Sequence, residues 1–262
     1  MSKLTLNVDR ARIPQKIEED KHWWFASRTR ALMTILNKYN KRRDLMILDV
    51  GCGAGNMYHH FSRYGDVIGV ENHPAPVKVG QERGYDIRLG DGLHLDFEHA
   101  TFDLVTALDV IEHNDDDVGM LREAYRVLKP GGLILISVPA FQWLWTFNDD
   151  LNDHKRRYTA DQLERKLKLV GFRPLQLTYN NFLVFPLAAG VIFANKQKEV
   201  PADLKSHYFD EDAYQVDMQP THPVVNTILT GVGIAEQGLL KLTSLPIGTG
   251  LIAIARKPLS ES

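Results

Sequence analysis

Hydrophobic positions follow two alternating patterns over the central half of the chain. Short continuous apolar runs at residues 46–50, 67–70, 85–89, 102–108 and 133–138 predict strands. They are unbroken rather than alternating, as expected of parallel strands covered on both faces. Between them apolar residues recur at helical spacing. Val118, Leu121, Tyr125 and Leu128 make one stripe of a helix over 115–128. Asp115, Asp116 and Asp117 suit its N-terminus, where carboxylates answer free N–H groups, and Pro130-Gly131-Gly132 stops it. Residues 159–170 open with a Thr159-x-x-Gln162 capping box and close at Gly171. Two later strands fit 172–179 and 250–256.

Strand–helix alternation predicts an open, doubly wound α/β sheet. In such sheets ligands sit beyond the carboxyl ends of the strands, at the switch point. Two regions stand outside the alternation. Residues 1–44 read as an N-terminal helical cap with the aromatic run His22-Trp23-Trp24-Phe25. Residues 181–247 interrupt the last two strands, with apolar helical flanks at 182–194 and 224–242 around a polar loop at 196–220. The core is then 45–180 and 248–258, and 181–247 is an insertion that would cap the acceptor.

Composition narrows the class. The chain has 262 residues, 44% hydrophobic and 24% charged, which excludes a disordered, collagen-like or disulfide-stapled protein. A formal net charge of -2 lacks the basic field that nucleic-acid binding needs. The single cysteine, Cys52, allows no internal disulfide, and the first residues carry no secretory pattern, so a cytoplasmic location is expected. The most apolar stretch, 182–194, is 13 residues long with Pro186 and Gly190 inside, too short to span a bilayer. Contact with a membrane surface stays open.

The strongest chemical signal is Ile47-Leu48-Asp49-Val50-Gly51-Cys52-Gly53-Ala54-Gly55, a strand and a glycine loop leading into a helix over 56–64. Glycines let a backbone turn sharply and approach a ligand closely. A dinucleotide fingerprint, G-x-G-x-x-G, would need a small residue where Asn56 stands. Asp49 beside the loop would repel a pyrophosphate and attract an ammonium, which favours a zwitterionic methionine moiety. Glu71 follows about 20 residues after the loop begins, where an acid accepts both hydroxyls of a ribose. Gly90-Asp91-Gly92 follows the third strand, and Leu108-Asp109-Val110-Ile111-Glu112-His113 ends the fourth.

With these motifs in this order, the sequence resembles class I S-adenosylmethionine-dependent methyltransferases of the small-molecule type 11/12 kind, closely over 45–180 and loosely over the last strand. The resemblance implies a seven-stranded Rossmann-like doubly wound sheet, six parallel strands plus an antiparallel last strand, with a helical cap. It implies S-adenosyl-L-methionine as cofactor, held by Asp49, Gly51, Cys52, Gly53, Gly55 and Asn56. Glu71, with Asn72 beside it, would take the ribose. Asp91 would take the adenine amino group, with Gly92 and Leu93 against the ring. Asp109 and Val110 would flank the sulfonium, and Arg28 would reach the methionine carboxylate or an acidic acceptor.

Methyl transfer is an in-line displacement at a sulfonium, for which the protein supplies alignment and electrostatics. A general base is needed only for an acceptor that loses a proton. The candidates are His154 first, then His113 and Tyr158; His113 reads also as a gate over the sulfonium or as a plain loop residue. In His154-Lys155-Arg156-Arg157-Tyr158 an arginine would pair an anionic group, or the run is a solvated basic turn. No metal is assigned, with one minor alternative: Asp109, Glu112 and His113 form D-x-x-E-H, and some relatives place a divalent cation on a comparable cluster, usually with Glu first. Cys52 is read as a small loop residue rather than a nucleophile.

The expected function is methylation of a small or lipid-like acceptor at oxygen: a quinone precursor, a lipid intermediate or a glycan-biosynthesis intermediate. The alternatives are a non-catalytic cofactor-binding protein, a methyltransferase for a nucleic acid or protein, and a dehydrogenase. Amino methylases of bases carry an Asn/Asp-Pro-Pro-aromatic run at the fourth motif, and this chain does not.

Overall fold

The computed structural model describes residues 21–195 and 222–259. The first 20 residues of the N-terminal region and the polar loop at 196–220 lie outside the described residues. Seven strands form one sheet: β1 (Leu45–Val50), β2 (Gly65–Glu71), β3 (Ile87–Leu89), β4 (Phe102–Leu108), β5 (Leu128–Pro139), β6 (Arg173–Asn180) and β7 (Gly250–Arg256). Their order is β3-β2-β1-β4-β5-β7-β6. β1 to β5 pair in parallel, and β7 is antiparallel to both β5 and β6. The expected six-plus-one sheet is therefore present. Its order reverses between β1 and β4, so the carboxyl ends of those two strands open a crevice.

The helices are α1 (Trp23–Tyr39), α2 (Tyr58–Phe61), α3 (Pro74–Glu82), α4 (Asp117–Val127), α5 (Phe147–Leu151), α6 (Ala160–Val170), α7 (Phe185–Asn195) and α8 (Pro223–Leu242). Neighbouring strand residues feed opposite cores. Leu48, Val105 and Ile134 pack with Leu121 of α4 and Leu163 of α6. Ile47, Leu104 and Leu135 pack with Leu32, Ile35 and Leu36 of α1 and Leu240 of α8. Burial on both faces is why the strands read as unbroken apolar runs.

Several elements differ from the sequence reading. The helix after the glycine loop is one turn, Tyr58–Phe61, because the preceding residues stay in turns. β3 keeps only Ile87–Leu89. Pro130-Gly131-Gly132 does not separate helix from strand. It lies inside β5, where Leu128 pairs with Phe102 and Leu133 with Leu104. Gly131, at φ +80°, absorbs the extra residues of that bulge. The cap expectation changes most: α1 lays its Ala31-Leu32, Ile35-Leu36 stripe on the sheet face as a core layer. Its N-terminal turns alone reach the carboxyl edge. α8 packs along α1, and Asn226 ties the two by accepting from the Trp23 amide at 2.9 Å and donating to the Lys21 carbonyl at 2.9 Å.

Candidate functional site

The crevice is floored by the end of β1. Asp49 is 3% exposed, and its Oδ1 accepts the Thr106 hydroxyl at 2.5 Å. Burial pushes its carboxyl up to about 6, against the pull of the Thr106 hydrogen bond and the Arg28 charge. The loop that follows is pinned to β2: the Gly51 and Cys52 amides both donate to the Val70 carbonyl, at 2.7 and 3.2 Å. Gly51 sits at φ +65°, and a Cβ there would lie 2.5 Å from a Val110 methyl carbon. Only glycine lets the loop meet the end of β4 this closely.

Glu71 closes the loop from the other side. Its carboxylate accepts the Gly53 and His73 amides, each at 3.0 Å. One acid thus fixes the loop and keeps further acceptor capacity at the strand end. Asn72, beside it, is exposed. Cys52 packs against Gly69 of β2, and burial pushes its thiol well above the usual range, which favours the thiol over the nucleophilic thiolate. Asp91 stands on an exposed turn and accepts the Leu93 amide at 2.9 Å. Gly92 lies against Val50 and Met120, and Leu93 is half-buried.

Past β4 the backbone bends sharply, with Asp109 at φ +56°. Its carboxylate receives Arg28 of α1 at 2.6 Å and the Ser137 hydroxyl of β5 at 2.9 Å. Arg28 also donates to Ser137 at 3.2 Å. The predicted residues Arg28, Asp49, Gly51, Glu71, Asp109 and Val110 thereby gather on one rim.

A second group lies next to it. Glu112 and His113 sit in a one-turn helix, Ile111–His113. His154 arrives from the loop after α5, its ring 4.6 Å from that of His113 between centroids. The His154 Nδ1 donates to Asp149 at 2.8 Å. Asp149 is 1% exposed and takes two more bonds from Arg157, both 2.7 Å, and one from the Thr146 amide at 2.7 Å. Burial would raise its carboxyl, but the His154 and Arg157 bonds outweigh that and hold it far below the usual carboxylate range.

Sequence reasoning missed Asp149, Thr106 and Ser137. Only the Thr146-x-x-Asp149 spacing of a capping box marked the first. Two expectations need correction. Tyr158 is 1% exposed and donates to Asp117 at 2.6 Å beneath α4, so it is part of the core rather than the pocket. The arginines of the basic run do not await an anionic ligand: Arg157 is spent on Asp149, and Arg156 pairs with Asp117 at 3.0 Å.

Residues 48–136 match the family model described as a methyltransferase domain. The sterol 24-C-methyltransferase of Clavispora lusitaniae is 29% identical over 163 residues, 53% of this chain and 42% of that protein. The ubiquinone biosynthesis O-methyltransferase of Pseudomonas putida is 32% identical over 152 residues, 50% of this chain and 63% of that protein. The match thus spans less than two thirds of either relative. Among solved structures, phosphoethanolamine N-methyltransferase 2 of Haemonchus contortus, in complex with S-adenosyl-L-methionine, superposes with a TM-score of 0.56 at 20% identity, covering 87% of this chain and 52% of that one. The family match runs from β1 into β5, so it includes the glycine loop, Glu71, Asp91, Asp109 and Glu112 but neither Arg28 nor His154.

Proposed function

We propose that the chain is a class I S-adenosylmethionine-dependent methyltransferase, as its match to the methyltransferase-domain model over 48–136 supports, and that it transfers the methyl group to a hydroxyl of a small, lipid-like acceptor. The observation that carries the reading is the rim built by Asp49, Glu71, Arg28 and Asp109 around the β1–β4 crevice. A buried acid suits the ammonium of the methionine moiety, and a second suits the ribose hydroxyls. Arg28 gives only its Nη2 to Asp109 and Ser137 and keeps a buried Nε without a partner, so it can still reach the carboxylate. The cofactor supplies the electrophilic methyl group; the chain's part is to bind, align and handle the acceptor's proton.

Oxygen is favoured because Glu112, His113 and His154 adjoin Asp109, where the sulfonium would lie. Carboxylate and imidazole groups accept a proton from a phenol or alcohol. A lipid-like acceptor is favoured by α7, which has no charged residue yet exposes Leu187, Val191 and Phe193. Its first residue, Phe185, packs on Trp143 with ring centroids 6.0 Å apart, in the segment between β5 and α5 that precedes the loop carrying His154. The named relatives act, by their descriptions, on a sterol and in ubiquinone synthesis, both lipid chemistries. Among the described residues no helix is long and apolar enough to cross a membrane.

The test is methyl transfer from labelled cofactor to three acceptors: a prenylated catechol, a sterol alkene and a short RNA. Mass spectrometry then locates the methyl group. Oxygen methylation of the catechol supports the reading, and methylation of the sterol carbon or the RNA alone overturns it.

A further inference from the structure

The geometry points to a binding site for a divalent transition-metal cation, made by Glu112, His113 and His154. The three offer one ligand atom each, and those atoms all lie within 4.8 Å of one another. The first observation is a cost. Glu112 is 0% exposed, and neither carboxylate oxygen accepts a hydrogen bond from another residue. A buried carboxylate without a partner is unfavourable, so proteins seldom keep one idle.

The second observation is how the imidazoles are held. The His154 Nδ1 is committed to Asp149, which leaves Nε2 as the free lone pair. Asp149 is itself immobilised by Arg157 and Thr146. A carboxylate on the far nitrogen, fixed in turn by other donors, is the usual support of a metal-bound histidine. His113 has the main chain of Asn152 as its hydrogen-bond partner, which likewise fixes one nitrogen. Two oriented imidazoles and one carboxylate would hold a cation with positions left for water or an acceptor hydroxyl; with the cation bound, the three would ease loss of the hydroxyl proton through the cation rather than take that proton themselves.

This set differs from the D-x-x-E-H reading of the sequence. Asp109 is engaged by Arg28 and Ser137, and His154, 41 residues beyond His113, takes its place. Two nitrogens and one carboxylate select zinc, cobalt, iron or nickel over magnesium and calcium, which prefer all-oxygen sites. Ligand atoms around a tetrahedral ion stand about 3.4 Å apart for bonds of about 2.1 Å. Closing the set thus needs a shift of about 1 Å, which the exposed His113 can supply.

The test needs no turnover, so it is independent of the methyl-transfer reading. Chelator-stripped chain is titrated with Co²⁺ by visible absorption and with Zn²⁺ by calorimetry, with Mg²⁺ as competitor. One ion per chain, ligand-field bands in the visible and no competition by Mg²⁺ are expected. Glu112→Gln and His154→Asn should each weaken binding at least a hundred-fold, and Asp149→Asn about ten- to a hundred-fold. Circular dichroism and cofactor titration confirm that each variant is folded. Wild-type chain that takes up no Co²⁺, or folded variants that bind it as wild type does, overturn the site.

Discussion

Arg28 and Asp109 meet at 2.6 Å although they are 81 residues apart, one on α1 and the other at the bend after β4. Ser137 of β5 bonds both. The contact joins the N-terminal helix to the strand ends that frame the crevice, so the helix is part of the binding edge and not only a layer of the core. Replacing Arg28 by Gln removes the charge and keeps much of the bulk. S-adenosylmethionine should then bind about ten-fold to a hundred-fold more weakly by calorimetry, the loss expected of one charge-assisted contact. S-adenosylhomocysteine, which has the same carboxylate, should lose as much. An unchanged affinity for both would remove Arg28 from the cofactor site.

Glu71 does two tasks that different substitutions separate. Its oxygens hold the Gly53 and His73 amides and would also face the ribose. Glu71→Gln keeps one acceptor oxygen but loses the charge. Cofactor affinity should fall about ten-fold to a hundred-fold with the loop still in place. Glu71→Ala leaves neither amide an acceptor, whereas Gln still offers one oxygen to the pair, so amide hydrogen exchange at Gly53 should quicken more in Glu71→Ala than in Glu71→Gln. Wild-type exchange at Gly53 in Glu71→Ala would show that the loop does not depend on Glu71.

The fold was legible because its signals are local. Unbroken runs such as 102–108 mark strands buried on both faces, and the Thr159–Gln162 box and Gly171 cap of α6 are present as read, with Gly171 at φ +102°. The glycine loop and Glu71 were legible because a close backbone approach and a strand-end acid leave fixed spacings. What was not legible depends on tertiary contact. Nothing near Asp149 in the sequence says that its carboxylate meets both His154 and Arg157. Tyr158 looked like pocket chemistry because its neighbours are polar. Its hydroxyl instead turns inward to Asp117, which Lys166 also reaches at 2.8 Å. The Pro130-Gly131-Gly132 signal was read as a stop, where strand pairing on both sides makes it a bulge.

Asp49 gives the site a pH dependence whose sign is fixed. Burial raises its folded pKa to about 6 from an ordinary 3.8. The folded chain therefore prefers the neutral acid, and the stability this lends is present below pH 4 and lost as pH rises to 6. A cationic ammonium prefers the ionised form. Cofactor affinity should rise about ten-fold per pH unit below 6 and level off above it, with a proton released on binding at pH 5. Calorimetry in two buffers of different ionisation enthalpy measures that proton. Asp49→Asn should bind weakly with no such slope, and a wild-type slope in that variant would assign the proton to another group.

Tyr158→Phe distinguishes a core residue from a catalytic one. The hydroxyl is buried, and Asp117 keeps Lys166 and Arg156 when it is removed. The loss is therefore one hydrogen bond to a charged acceptor, about 1.5–3 kcal/mol, rather than an abandoned buried charge. For a chain of this size that lowers the melting temperature by roughly 2–4 °C per kcal/mol. Turnover per folded molecule should stay within about two-fold, since no reacting atom is within reach of a side chain sealed beneath α4. A collapse of kcat with the melting temperature unchanged would put Tyr158 back among the groups that touch the acceptor. The structure places its oxygen 2.6 Å from Asp117.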